Sequence, residues 1–267
     1  MTRETAPIVL ERALSAAGLD WIVPDWPAPT HVGALATTIS GGVSAGPYAT
    51  MNLGRNGRDD ASALAENQRR LKAFLPATPV WLDQVHGAAV ATLTRDSAGM
   101  PTPVADAAVT RERGVVCAIL TADCLPVLFA DRRGTAVGIA HAGWRGLTAG
   151  VLEATITALC DMGVSRDDLV AWLGPAIGPA RFEVGADVRD PFCADDHGAE
   201  ACFTPHRPGK WHADLYGLAR QRLARGGVKG VSGGGFCTYA DGARFFSYRR
   251  ERESGRMAAA VWLARCV

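Results

Sequence analysis

Two histidines and a cysteine, each at the end of a short apolar run, are the side chains of this chain best equipped for chemistry. Trp81-Leu-Asp-Gln-Val-His86-Gly87 ends one run in His86. Leu120-Thr-Ala-Asp-Cys124-Leu-Pro126 puts Cys124 after a second run, just before a proline. Ile139-Ala-His141-Ala-Gly-Trp-Arg-Gly146 ends a third run in His141 and then turns into a helix. Three strand ends in one sheet can converge on one edge, where α/β proteins commonly hold ligands. Two imidazoles and a thiolate suit zinc, and three protein ligands leave a fourth position open, as catalytic sites do. A water bound at that position would ionise near neutral pH. Cys124 is also a nucleophile in its own right, with a histidine as its base. The carboxylates nearest the three in sequence are Asp83, Asp106 and Asp123, and Gln84 precedes His86 by two residues. We take Cys124, Asp123 and Gln84 as candidate catalytic groups. The three metal-competent residues are far apart in the chain, so by spacing alone they need share no role.

Two glycine-rich segments are candidates for holding substrate. In His141-Ala-Gly-Trp-Arg-Gly146 the glycines let backbone approach a ligand, and the following helix aims free N–H groups at the same place. Arg145 offers a fork of donors to phosphate or carboxylate; a tight strand-to-helix turn with a surface arginine is the plainer alternative. The loop Ser40-Gly-Gly-Val-Ser44-Ala-Gly-Pro-Tyr48 lacks the lysine of a phosphate-binding P-loop and the spacing of a dinucleotide fingerprint. Gly42, Ser44 and Asn52 are nevertheless its substrate-binding candidates. His31, His197, His206 and His212 have no supporting pattern. Cys117, Cys160, Cys193, Cys202, Cys237 and Cys266 read as packing residues, because free cysteine behaves as a small hydrophobe. The basic stretch 244–256 alternates with acids and reads as a solvated turn from which an arginine could enter a pocket.

The elements that must position these groups follow from hydrophobic period. Residues 80–85, 115–120, 127–130, 136–140 and 169–173 read as short buried strands, and the tail 257–263 as the strand that ends the sheet. Residues 147–162 read as one helix stopped by Gly163. A second runs over 214–225, with Asp214 as its N-cap and Gly226 at its far end. The irregular stretches 41–58 and 174–185 are long enough to imply function. Without repeats or a linker, residues 1–267 read as one α/β domain. Hydrophobic residues at 48% and charged residues at 21% suit a globular protein with a substantial core. A formal net charge of +1 gives the whole chain no pull toward nucleic acid or anionic membrane, although a local basic pocket is compatible with it. No segment approaches the roughly 20 apolar residues of a membrane helix. The run 8–10 is too short for the core of an export signal, and seven scattered cysteines without a CxxC pair fit a reducing compartment. A cytoplasmic protein is expected.

The chain resembles the bacterial laccase-domain family, also described as multifunctional purine nucleoside phosphorylases. The matching segments are Gly41-Gly-Val-Ser-Ala-Gly-Pro-Tyr48, Asn52-Leu-Gly54, Gln84-Val-His-Gly87, Ala122-Asp-Cys-Leu-Pro126, His141-Ala-Gly-Trp-Arg-Gly146, Leu173-Gly-Pro175, Phe246-Ser-Tyr-Arg-Arg250 and Gly255-Arg-Met257. They run in the family order and span nearly the whole chain. The resemblance implies mixed sheets sandwiched between helices, and one zinc ion on His86, Cys124 and His141. It also implies phosphorolysis of adenosine, inosine, guanosine or methylthioadenosine, with nucleoside and phosphate as the small-molecule partners, and deamination of adenosine. Related members are described as amidases that edit cytoplasmic peptidoglycan precursors. Similar proteins usually carry an arginine two residues before the Gly-Gly pair, where this chain has Ile39. Two further readings stand. His2Cys resembles a blue-copper centre, yet a multicopper oxidase also needs a trinuclear cluster, which takes more histidines than the six present. A non-catalytic metal-binding module is the other.

Overall fold

The computed structural model describes residues 6–55 and 57–265. The chain opens with helix α1 (Ala6–Ala16), strand β1 (Val32–Ala36), α2 (Ala61–Lys72), β2 (Val90–Thr92) and β3 (Ala107–Thr110). It continues through β4 (Val116–Thr121), β5 (Leu125–Asp131), β6 (Val137–Ala142), α3 (Trp144–Thr148), α4 (Val151–Asp161) and β7 (Leu169–Leu173). The remainder is β8 (Glu183–Val184), α5 (Ala186–Asp195), β9 (Phe203–Arg207), β10 (Lys210–Ala213), α6 (Leu215–Arg225), β11 (Gly230–Gly233), α7 (Tyr248–Glu251) and β12 (Met257–Leu263).

A mixed sheet runs β11-β7-β5-β6-β3-β2, with parallel pairs at its two ends and antiparallel pairs between. A second, antiparallel sheet runs β1-β12-β4, and a small one β8-β10-β9. Side chains alternate across each strand, so one strand feeds two different interiors. Along β5, Val127 and Phe129 join the helical side with Leu152, Ile156, Leu218 and Leu223. Leu128 and Ala130 point the other way, to meet Cys117, Ile119, Ala259 and Val261 between the sheets. The outer face of the second sheet, with Val116, Ala118, Ala258 and Trp262, is covered by Leu10, Leu14 and Leu71 of α1 and α2. The result is one α/β domain layered helix, sheet, sheet, helix, the architecture expected from the resemblance. No helix among the described residues is long and apolar enough to cross a membrane.

Three expectations need correction. Residues 80–85 do not form a strand: Val80 and Asp83 make isolated bridges, to Cys117 and Val104. The segment turns instead, because the N–H groups of residues 85–87 are gathered by a carboxylate. The helix expected over 147–162 is broken into α3 and α4, since Gly150 between them takes φ 88°, a left-handed value no helix continues through. The tail strand β12 is not an edge; it lies between β1 and β4. Asp214 does cap α6, accepting from the Gly217 N–H at 3.0 Å, and Gly226 ends that helix. Cys266 lies outside the described residues.

Candidate metal centre

The three donors come from three different kinds of backbone. His141 lies within β6, Cys124 in the turn that carries the chain from one sheet (β4) to the other (β5), and His86 on the 85–87 turn. The expectation that all three end strands of a single sheet is therefore wrong, yet they meet. One ligand atom from each of His86, Cys124 and His141 lies within 4.8 Å of the other two. The imidazoles stand edge to face with centroids 4.9 Å apart. Gly143 makes room for the sulfur, since a Cβ there would sit 2.7 Å from Cys124 Sγ.

Asp106 holds the arrangement. Its fully buried carboxylate accepts from the N–H groups of Val85 (3.1 Å), His86 (2.9 Å) and Gly87 (2.7 Å), and faces His141 Nδ1 at 2.9 Å. Its backbone carbonyl accepts from the His141 N–H at 2.7 Å. A carboxylate opposite Nδ1 keeps the proton there and leaves Nε2 free as a ligand. The same contacts hold His86 at φ 61°, a backbone conformation that non-glycine residues rarely take. Burial pushes Asp106 upward, but the His141 and backbone hydrogen bonds outweigh it and keep the group below the usual carboxylate range.

The electrostatics favour a thiolate. Burial alone would raise the Cys124 thiol; the charge and hydrogen bonds of His141, then of His86, bring it down to about 6. Burial would lower His141, and the neighbouring Cys124 and Asp106 raise it to about 9. The donor set therefore fits a zinc ion: a deprotonated sulfur, an imidazole with a fixed tautomer, and a second imidazole within reach. Among the described residues no other histidines, cysteines or carboxylates gather in this way, so the ligands of a trinuclear copper cluster are not assembled.

Two cavities open onto this point. One, of about 520 Å³, is lined by Asn52, Gln84, Arg55, Arg145, Ser254 and Arg256, among others. The other, of about 340 Å³, is lined by Asp123, Trp144, Ile177, Phe182, Leu215 and Arg249, among others. His86, Cys124, Arg145 and Tyr248 line both. Gln84 reaches the first cavity, but its amide is engaged at both ends by the Leu120 backbone. Asp123 reaches the second as a peg: its carboxylate accepts from Thr238 Oγ1 and the Arg249 N–H, both at 2.6 Å. Asn52 lines the first cavity while its Oδ1 accepts from the N–H groups of Gly54 and Arg256. Gly42 and Ser44 line neither cavity. Ser44 donates to Asp59, and a Cβ on Gly42 would strike the Thr50 carbonyl. Their loop is pinned by Asn67 of α2, which bonds Val43, Ser44, Thr50 and Asn52. Ile39 packs beside Phe245, Phe246 and Met257, so the cations of the first cavity are Arg55, Arg145 and Arg256. Asp106 is one of three carboxylates that the sequence leaves unranked, and nothing in it singles out Tyr48, Arg55 or Tyr248; Arg256 belongs to the basic stretch 244–256, from which an arginine is expected to be able to enter a pocket. Tyr48, Tyr248 and Arg256 do lie within the matching motifs.

The comparisons agree with this picture. A purine nucleoside phosphorylase of Pseudomonas aeruginosa is 54% identical over 246 residues, covering 91% of this chain and 98% of that protein. The purine nucleoside phosphorylase YfiH of Escherichia coli is 51% identical over 244 residues, covering 91% and 98%. Among solved structures, a Neisseria meningitidis protein superposes with a TM-score of 0.87 at 47% identity, over 92% of this chain and 100% of that one. YlmD of Geobacillus stearothermophilus follows at 0.80 and 31%, over 88% and 93%. The family profile described as multi-copper polyphenol oxidoreductase laccase matches residues 33–264. With that match over most of its length, this chain belongs to the laccase-like family of YfiH-type proteins.

Proposed function

We propose that this protein is a zinc-dependent purine nucleoside phosphorylase working at His86, Cys124 and His141. The observation that carries the proposal is a metal-competent triad sharing one cavity with three guanidinium groups, Arg55, Arg145 and Arg256, that have no carboxylate partner among the described residues. The likeness to proteins named purine nucleoside phosphorylases supports the substrate class. Zinc held by the triad would supply a Lewis acid. The chain's own residues do the rest. Arg55 and Arg256 bind and orient phosphate as forked donors, while the Arg145 guanidinium lies over the Trp144 ring, 4.3 Å from its centroid. Asn52 holds the backbone of Arg256 in place, and Asp106 keeps the His141 proton on Nδ1. Asp123 fixes the segment that carries Tyr248 and Arg249. The six described cysteines are free thiols, which suits the cytoplasm.

A panel of adenosine, inosine, guanosine and methylthioadenosine, with and without phosphate, tests the proposal alongside metal analysis of the native protein. Phosphate-dependent release of ribose 1-phosphate is the expected result. Base release independent of phosphate would overturn it, and conversion of adenosine to inosine would reveal deamination at the same centre. One observation favours a second reading: a thiol held at about 6 beside a histidine is a competent nucleophile for amide hydrolysis. Amidase activity on a peptidoglycan precursor that survives chelation and disappears in Cys124→Ser would favour it.

A further inference from the structure

His86 and Cys124 of the metal-competent triad line two adjoining cavities whose walls differ in their balance of polar and apolar groups. The larger presents Asn52, Ser254, Arg55 and Arg256, groups that bind by hydrogen bond and charge, with one carboxylate, Asp83, also on its wall. The smaller is walled by Trp144 and by Ile177, Phe182 and Leu215, whose side chains belong to the core. We infer that the cavities divide the reactants of phosphorolysis: the apolar lobe takes the purine base, the polar lobe takes phosphate, and the ribose C1′ lies at the seam beside His86 and Cys124. This assignment rests on the phosphorylase reading.

A phosphate dianion in the apolar lobe would lose its hydration against Ile177, Phe182 and Leu215, a cost that only paired donors offset. In the polar lobe it meets the guanidiniums of Arg55 and Arg256, neither of which has a carboxylate partner among the described residues; one nitrogen of Arg256 is tied to the Ser254 and Gly255 carbonyls. A purine is a flat ring with apolar faces and hydrogen-bonding edges, so its faces suit the aromatic wall. The arginines on the apolar lobe fit this use. The Arg249 guanidinium lies 5.2 Å from the Phe182 ring centroid and is tied to the Glu183 carbonyl at 2.7 Å. Arg252 sits 5.9 Å from the Tyr248 ring. Such planar groups stack on a base and offer N–H donors to its ring nitrogens and exocyclic oxygen. Tyr248 is 47% exposed and lines both lobes, which places an aromatic face against the glycosidic bond. In the reaction a phosphate oxygen bonds to C1′ as the C1′–N9 bond breaks. The electron pair leaves with the base, and the proton that phosphate gives up is the one the base gains.

The test is a split of Michaelis constants in the zinc-loaded enzyme with inosine and phosphate. Trp144→Leu should raise the inosine KM by about tenfold with the phosphate KM within about twofold; Arg55→Ala should do the reverse. Should Trp144→Leu fail to fold, Arg252→Gln on the rim of the same lobe carries the test. The opposite pattern, or either variant moving both constants alike or neither, overturns the assignment. Should the wild type show no phosphate-dependent cleavage, the phosphorylase reading fails by itself, and titration calorimetry still tests the lobes. Hypoxanthine binding weakened by Trp144→Leu and untouched by Arg55→Ala supports them; the reverse refutes them.

Discussion

Exchanging Asp106 for Asn preserves the shape of the side chain and removes the charge that four donors share. Oδ2 accepts from the Val85 and Gly87 N–H groups at 3.1 and 2.7 Å; Oδ1 serves the His86 N–H and His141 Nδ1, both at 2.9 Å. Asparagine has one acceptor oxygen and one NH2 donor. Whichever way it turns, its NH2 confronts a pair of donors. Two charge-assisted hydrogen bonds go, worth about 1.5–3 kcal/mol each before relaxation. His141 can escape by moving its proton to Nε2, where it blocks the metal position. Because the 85–87 turn is partly exposed it can relax, and the expected loss of zinc affinity is about 10–100-fold. That corresponds to about 1.4–2.8 kcal/mol. Competition for zinc against a chelating dye measures it, with the melting temperature of the metal-free protein recorded alongside. Asp83, which makes no side-chain contact to the triad, is the control. Wild-type zinc affinity in Asp106→Asn, or an equal loss in Asp83→Asn, would refute the reasoning.

In metal-free protein, Cys124 should be alkylated by iodoacetamide with a midpoint near pH 6, and the rate should fall as pH drops below it, because only the thiolate attacks. Cys117, which burial pushes up to about 12, should stay unreactive; a Cys124 midpoint above about 8, the ordinary thiol range, would deny the imidazoles their role. Gly143→Ala puts a Cβ 2.7 Å from Cys124 Sγ, so zinc content and turnover should fall by about tenfold or more while the melting temperature changes little. Full occupancy in that variant would show that the sulfur has room to move. Phe129→Ala empties a fully buried position facing α4 and α6, and denaturant unfolding should register a loss of about 3–5 kcal/mol. A loss under about 1 kcal/mol would mean that this part of the core collapses around the gap.

Local pattern carried much of this protein. Continuous apolar runs announce β7 and β12 at the observed boundaries, and Asp214 marks the start of α6, because strand burial and helix capping depend on residues a few positions apart. The order of motifs was enough to name the family and to nominate His86, Cys124 and His141. Other features have no local signature. Nothing near β12 in the chain says that it lies between β1 and β4, since pairing is decided by partners 136 or more residues away. Residues 80–85 look like a strand, and the segment turns at its end because the Asp106 carboxylate, about 20 residues on, captures the N–H groups of residues 85–87. The stretch 244–256 reads as a solvated turn from which an arginine could enter a pocket, but only the fold selects Arg256, because Asn52, 204 residues earlier, holds its backbone at the cavity. Sequence specified which side chains can bind a metal and which faces must be buried. Tertiary structure alone decided that the triad shares one point and one positioning carboxylate, because distance in space is set by the packing of whole layers and leaves no trace in neighbouring residues.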